Sequence, residues 1–116
     1  MTKPTGSEIQ KAMVEYADVK YPELCKLLVK ITNEGRRSFA QGKKMKAEGL
    51  RKGFPDFFVF RARDEYHGAA IEIKGRNDTL KPEQREYLDI LERQGYYCDV
   101  IDSVDKGMEF LDYWLR

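Results

Sequence analysis

At 116 residues and a formal net charge of +1, the chain has room for one hydrophobic core but not two. Hydrophobic residues make up 41% and charged residues 35%, which suits a globular protein, and no apolar run approaches the ~20 residues needed to cross a bilayer. No charged-then-apolar leader opens the chain, so the expectation is a cytoplasmic protein of one domain over residues 1–116.

Ser7-Glu8-Ile9-Gln10 has the form of a capping box, with Ser7 as N-cap and Gln10 at N3. Ile9, Ala12, Met13, Tyr16 and Ala17 follow at helical spacing until Tyr21-Pro22 stops the helix. Leu24 to Ile31 is apolar and β-branched towards its end, predicting a strand over Leu27 to Thr32, and Asn33-Glu34-Gly35 reads as a turn. Ser38 to Glu48 predicts a short basic helix closed by Gly49. Seven basic residues (Arg36, Arg37, Lys43, Lys44, Lys46, Arg51, Lys52) and one acid, Glu48, lie between Arg36 and Lys52. That segment reads either as a local phosphate-contacting surface or as a solvated helix face.

Asp56 to Ala62 is strand-rich, Asp64 to Gly68 is a turn, and Ala69 to Lys74 is the return strand. With the turn centred near Glu65, paired residue numbers sum to about 130 to 132. That register sets Phe58 opposite Glu72 and Asp56 opposite Lys74, with Phe57, Val59, Ile71 and Ile73 facing the core. Pro82 opens the next helix, whose stripe is Gln84, Tyr87, Leu88 and Leu91, and Gly95 ends it. Tyr96 to Ile101 is a last strand, and Ser103 caps a helix with Val104, Met108, Leu111 and Leu115 on its apolar stripe. The expectation is an α/β fold, a mixed sheet flanked by helices. Cys25 and Cys98 form no CxxC pair and lack a His/Cys cluster, so they read as reduced thiols and not zinc ligands. His67 falls in the turn, away from the carboxylates.

Glu72 and Lys74 are two residues apart, a spacing that places both on one face of a strand. Asp56 joins them at the same end of the hairpin. Two carboxylates and an ammonium converging on an apolar sheet are costly unless they hold a metal or one another. Asp56 and Glu72 supply hard oxygen ligands for Mg²⁺ or Mn²⁺, the Ile73 carbonyl adds a third, and Lys74 can orient water or stabilise charge in phosphodiester hydrolysis.

Pro55-Asp56 followed by Glu72-Ile73-Lys74 resembles the PD-(D/E)xK nuclease superfamily, whose core is restriction-endonuclease-like with a four-stranded mixed sheet. The longer string is similar to its VRR-NUC (virus-type replication-repair nuclease) family. The matching elements are Glu8, Asn33-Glu34-Gly35, Lys52-Gly53-Phe54-Pro55-Asp56, Ile71-Glu72-Ile73-Lys74 and Leu80-Lys81-Pro82-Glu83-Gln84. The resemblance implies that Glu8 joins the metal site directly or through water, and that Gln84 lines it from the following helix. Lys81 departs from the small capping residue that often precedes Pro-Glu-Gln in the family. Stand-alone members occur in phages and bacteria as dimers that resolve four-way (Holliday) junctions, whereas the eukaryotic version is a domain of a larger repair nuclease. The implied partners are branched DNA and a second copy, with no membrane and no nucleotide cofactor. Arg36, Arg37, Lys43, Lys44 and Lys52 are the candidate DNA contacts.

Overall fold

Thr5, not Ser7, starts the first helix. The computed structural model describes residues 2–31 and 38–116; the Asn33-Glu34-Gly35 turn, Arg36 and Arg37 lie outside the described residues. Helix α1 runs Gly6–Lys20, with the Thr5 hydroxyl accepting the Glu8 N–H and the Glu8 carboxylate accepting the Thr5 N–H. The capping box is therefore Thr5–Glu8. Both four-residue strings obey the pattern, and the one that keeps Ile9, Met13 and Ala17 facing the core starts two residues earlier. All three are fully buried, which is the i, i+4, i+8 stripe of an amphipathic helix.

A 3-10 turn at Leu24–Leu27 takes Leu27, the first residue of the expected strand, leaving β1 at Leu28–Lys30. Helix α2 spans Phe39–Ala47, β2 Phe57–Val59, β3 Ala69–Ile73, α3 Pro82–Arg93, β4 Tyr97–Ile101 and α4 Val104–Leu115. The four strands form one sheet in the order β1-β2-β3-β4. The β1–β2 and β2–β3 pairs are antiparallel and β3–β4 is parallel, with α3 as the crossover that a parallel pair requires. The mixed α/β expectation holds.

The hairpin register is two residues tighter than expected: Phe58 pairs with Ala70 and Phe57 with Ile71. Arg63 and Tyr66 form a separate bridge around a turn in which Asp64 has φ 53°. That extra two-residue turn moves the centre of the hairpin from Glu65 towards Asp64. A shift of two preserves the period of a strand, so the assignment of faces survives while the partners change.

Phe57, Val59, Ala69, Ile71 and Ile73 face α1 and α4 in the main core, with Ile101, Phe110, Leu111, Trp114 and Leu115. Each fully buried Leu, Ile or Phe side chain contributes about 1.5–3 kcal/mol. On α4 the buried stripe includes Phe110 and Trp114, so it is turned relative to the expected one; Met108 and Val104 lie at its margin. The opposite face of the sheet carries Phe58, Ala70 and Glu72 towards α3.

Tyr16, Lys20, Tyr21 and Asp112 tie α1 to α4. Tyr16 donates to both Asp112 oxygens at 2.8 and 2.9 Å, Lys20 Nζ lies 2.9 Å from Oδ1, and the Tyr21 hydroxyl also donates to Oδ1. These donors hold the Asp112 carboxyl down to about 2.

Candidate active site

Asp56 stands just before β2, where two hydrogen bonds fix it. Its carbonyl accepts the Ile31 N–H at 2.8 Å, extending the β1 pairing, and its Oδ2 accepts the Ile73 N–H at 2.8 Å. The carboxylate thus reaches across to the end of β3, where Glu72 and Lys74 lie on the same face. Asp56, Glu72 and Lys74 are all buried, Glu72 completely. Lys74 Nζ is 3.6 Å from Glu72 Oε1 and 3.7 Å from Asp78 Oδ2, so the ammonium sits between two carboxylates. A buried carboxylate with partners on this scale avoids much of the desolvation cost an isolated charge would carry.

Gln84 enters from the first turn of α3. Its Nε2 donates to Glu72 Oε1 at 3.3 Å, while its Oε1 accepts the Lys81 N–H at 2.9 Å. Lys81, at the N-cap, has no side-chain acceptor to offer the helix, so Gln84 supplies the side-chain half of the cap. Gly53 brings this end of α3 close: it has φ 88°, and a Cβ there would meet Glu83 O at 2.8 Å. Lys52 adds an ion pair to Glu83 at 3.6 Å.

A cavity of about 310 Å³ opens on Asp56 and Ile73, its other walls being Gly6, Ser7, Gln10, Lys30 and Asp78. Ser7, Gln10, Lys30 and Asp78 were not among the sequence candidates. Asp78 was accessible to sequence reasoning, since it lies four residues after Lys74. Lys30 was not, because only pairing of β1 with β2 places it beside Asp56.

Glu8 is not among the residues lining this cavity. It is exposed on α1, and the Thr5 N–H bonded to its carboxylate holds it below the usual carboxylate range. Among the described residues, no three His, Cys, Asp or Glu side chains gather as a metal-binding group. Glu8 is therefore not assembled with Asp56 and Glu72 into a three-carboxylate cluster. The donors that remain fit a hard divalent ion that keeps several waters: two carboxylates and the Ile73 carbonyl, all oxygen, without a thiolate or imidazole. Lys43 and Lys44 are exposed on α2, free of the core and accessible to solvent.

A family model for the VRR-NUC domain matches residues 4–105. The chain belongs to the VRR-NUC family. The family is one of PD-(D/E)xK-type nucleases, which typically use divalent metals, and DNA is the substrate class of such a nuclease domain. Among solved structures, this VRR-NUC chain is similar to a VRR_NUC domain protein at 24% identity and TM-score 0.82, covering 97% of this chain and 88% of that one. That likeness shows the shared fold. No curated protein matches the chain. Among the described residues, no helix of this VRR-NUC chain is long and apolar enough to cross a membrane.

Proposed function

We propose that the protein is a divalent-metal-dependent DNA endonuclease with one active site per chain, built on a single nuclease domain over residues 1–116. The observation that carries this reading is the buried group of Asp56, Glu72 and Lys74, with Asp56 and Ile73 opening on a cavity. Asp56, Glu72 and the Ile73 carbonyl would hold Mg²⁺ or Mn²⁺. Bound there, the ion would acidify a water and neutralise charge on the phosphoryl oxygens. Lys74 orients the attacking water and stabilises the developing phosphoryl charge. Gln84 fixes the rotamer of Glu72. Glu8 acts on the site indirectly, by capping the helix whose first turn forms the cavity wall.

We read Lys43, Lys44 and Lys52, with Arg36 and Arg37, as phosphate contacts that position DNA without reading its sequence. The finer reading is a homodimer resolving four-way junctions, since a two-fold junction calls for two symmetric cuts and a C2 dimer presents two sites. We read it as acting in the cytoplasm of a bacterium or of a phage-infected cell.

The test is a cleavage panel in Mg²⁺ or Mn²⁺ with four-way junction, flap, single-stranded and linear duplex DNA. Paired symmetric nicks confined to the junction are expected. Preferential cutting at flaps or duplex ends would replace the junction reading with another nuclease activity. The variants Asp56→Asn and Glu72→Gln should lose at least a hundredfold in rate while binding DNA. Undiminished cleavage by both would remove the site assignment.

A further inference from the structure

Phe60 is an exposed aromatic ring on the carboxylate face of the sheet, and its surroundings distinguish it from an ordinary surface hydrophobe. It is 56% exposed, yet it lies ring to ring on Phe58, which is 6% exposed, with centroids 4.8 Å apart and planes inclined by 26°. Phe58 in turn lies 6.4 Å from Phe54 at 13°. Three rings are therefore nearly parallel, and Phe60 is the outer one. Tyr96 packs edge-on to Phe58 at 5.3 Å and Tyr87 edge-on to Phe54 at 5.2 Å, holding the inner members in place. The backbone is fixed as well, since the Phe60 N–H donates to Leu27 O at 2.9 Å.

We propose that Phe60 is the stacking platform for an unpaired nucleobase of the DNA being cut. The proposal rests on the nuclease reading and adds to it that a base is left unpaired where a branch opens, a few positions from the scissile phosphate. Phe60 follows Asp56 by four residues, the two flanking β2 at an even spacing from Phe58, about 13 Å apart at ~3.3 Å per residue of extended chain. A DNA strand with stacked bases rises ~3.4 Å per nucleotide, so a base within about four nucleotides of the scissile phosphate, fewer where the strand is unstacked and extended, reaches this ring. A paired base inside a duplex has both π-faces covered by its neighbours and shows only its edges in the grooves. Only a base from a single strand, a splayed end or an opened branch offers a face to Phe60. The ring stack is pre-ordered, so the base adds one more layer and Phe60 has little freedom to lose.

The test measures binding separately from cleavage. In an Asp56→Asn background, Phe60→Ala, Phe60→Leu and Phe60→Trp are titrated with two DNAs. One is a duplex bearing an unpaired single-stranded arm with 2-aminopurine four nucleotides into it; the other is the same duplex fully paired. Phe60→Ala and Phe60→Leu should lose about five- to a hundredfold in affinity for the armed DNA, the range of one base-aromatic stack, and lose the fluorescence quenching on binding. Both should bind paired duplex as the parent does, which also reports that they fold. Phe60→Trp should keep the affinity and the quenching. Equal losses on both DNAs, or parent-like binding by Phe60→Leu, would overturn the platform. So would a change in mass by light scattering on Phe60→Ala, which would assign the ring to contact with a second copy. Absence of cleavage by the wild-type chain would count against the nuclease reading and leave the binding result standing.

Discussion

Gln84 holds two groups at once, the Lys81 N–H that begins α3 and the Glu72 carboxylate. The two roles separate by substitution. Gln84→Ala removes both, and we expect a loss of about 1 kcal/mol in stability from the cap with a ten- to hundredfold fall in cleavage from the unsupported carboxylate. Gln84→Glu keeps an acceptor for the Lys81 N–H but sets a second carboxylate against buried Glu72. A loss of stability in urea titration beyond that of Gln84→Ala would therefore come from the carboxylate pair and not from the cap, and cleavage should stay low. Cys98 offers a second check at this scale. Burial, followed by the charges of Glu92 and Asp89, pushes its thiol up to about 11, so the thiolate is scarce near neutral pH. Alkylation of Cys98 at pH 8 should therefore be markedly slower in the folded chain than in urea.

The joint between α1 and α4 is where pH should act on stability. The Asp112 carboxyl is held at about 2 against an ordinary 3.8 by Tyr21, Lys20 and Tyr16. Its folded value is depressed, so its contribution is complete above about pH 4 and disappears as pH falls towards 2. Tyr21 is shifted the other way, raised by burial and by its bond to Asp112, so its contribution is present at neutral pH and fades above pH 10. Asp112→Asn should flatten the acid limb of a Tm-versus-pH curve between about pH 4 and 2 relative to wild type. A parallel curve would show that the joint does not titrate. Helix α2 poses an electrostatic question, since none of its residues is buried and three of its nine residues are lysines. Replacing Lys43 and Lys44 by Ala should weaken binding to all DNAs alike and lower the slope of log K against log salt by about 2. An unchanged slope would return α2 to a solvated surface role.

For the whole molecule, removal of divalent ions with a chelator should abolish cleavage yet leave thermal stability nearly unchanged, because the main core at α1 and α4 is packed from apolar side chains and would give the ion only the backbone carbonyl of Ile73. A large fall in Tm would make the ion structural. Much of this architecture was legible in the chain. Helices α1, α3 and α4 showed through apolar residues at 3.6-residue spacing and α2 through Ser38 and Gly49 at its ends, and Glu72 and Lys74 declared a common face by their spacing alone. Parity of the hairpin was also legible, because any odd slip would have turned Ile71 and Ile73 away from the core. The exact partners were not, since Arg63-Asp64-Glu65-Tyr66 added a tight turn inside the expected loop. The first helix began at Thr5 because two overlapping strings satisfy one capping rule, and only packing of Ile9, Met13 and Ala17 chooses between them. Lys30 and Gln10 were invisible for a different reason. Their place at the cavity depends on elements far apart in sequence, and no local pattern encodes it.

The contact between Gly6 and Gly75 bears on all of this. A Cβ on Gly75 would fall 2.1 Å from the Gly6 nitrogen and 2.4 Å from the Thr5 carbonyl carbon, while the Arg76 N–H donates to Pro4 O at 2.9 Å. Backbone meets backbone here, between the residue directly after Lys74 and Gly6, which lines the cavity. The pair works as a gauge block: its thickness, with no side chain interposed, sets how wide the jaws stand between α1 and the end of β3. Gly75→Ala would thicken the block by one methyl group and change no acid, base or ligand. A catalytic defect in that variant would therefore measure the tolerance to which the two jaws are machined.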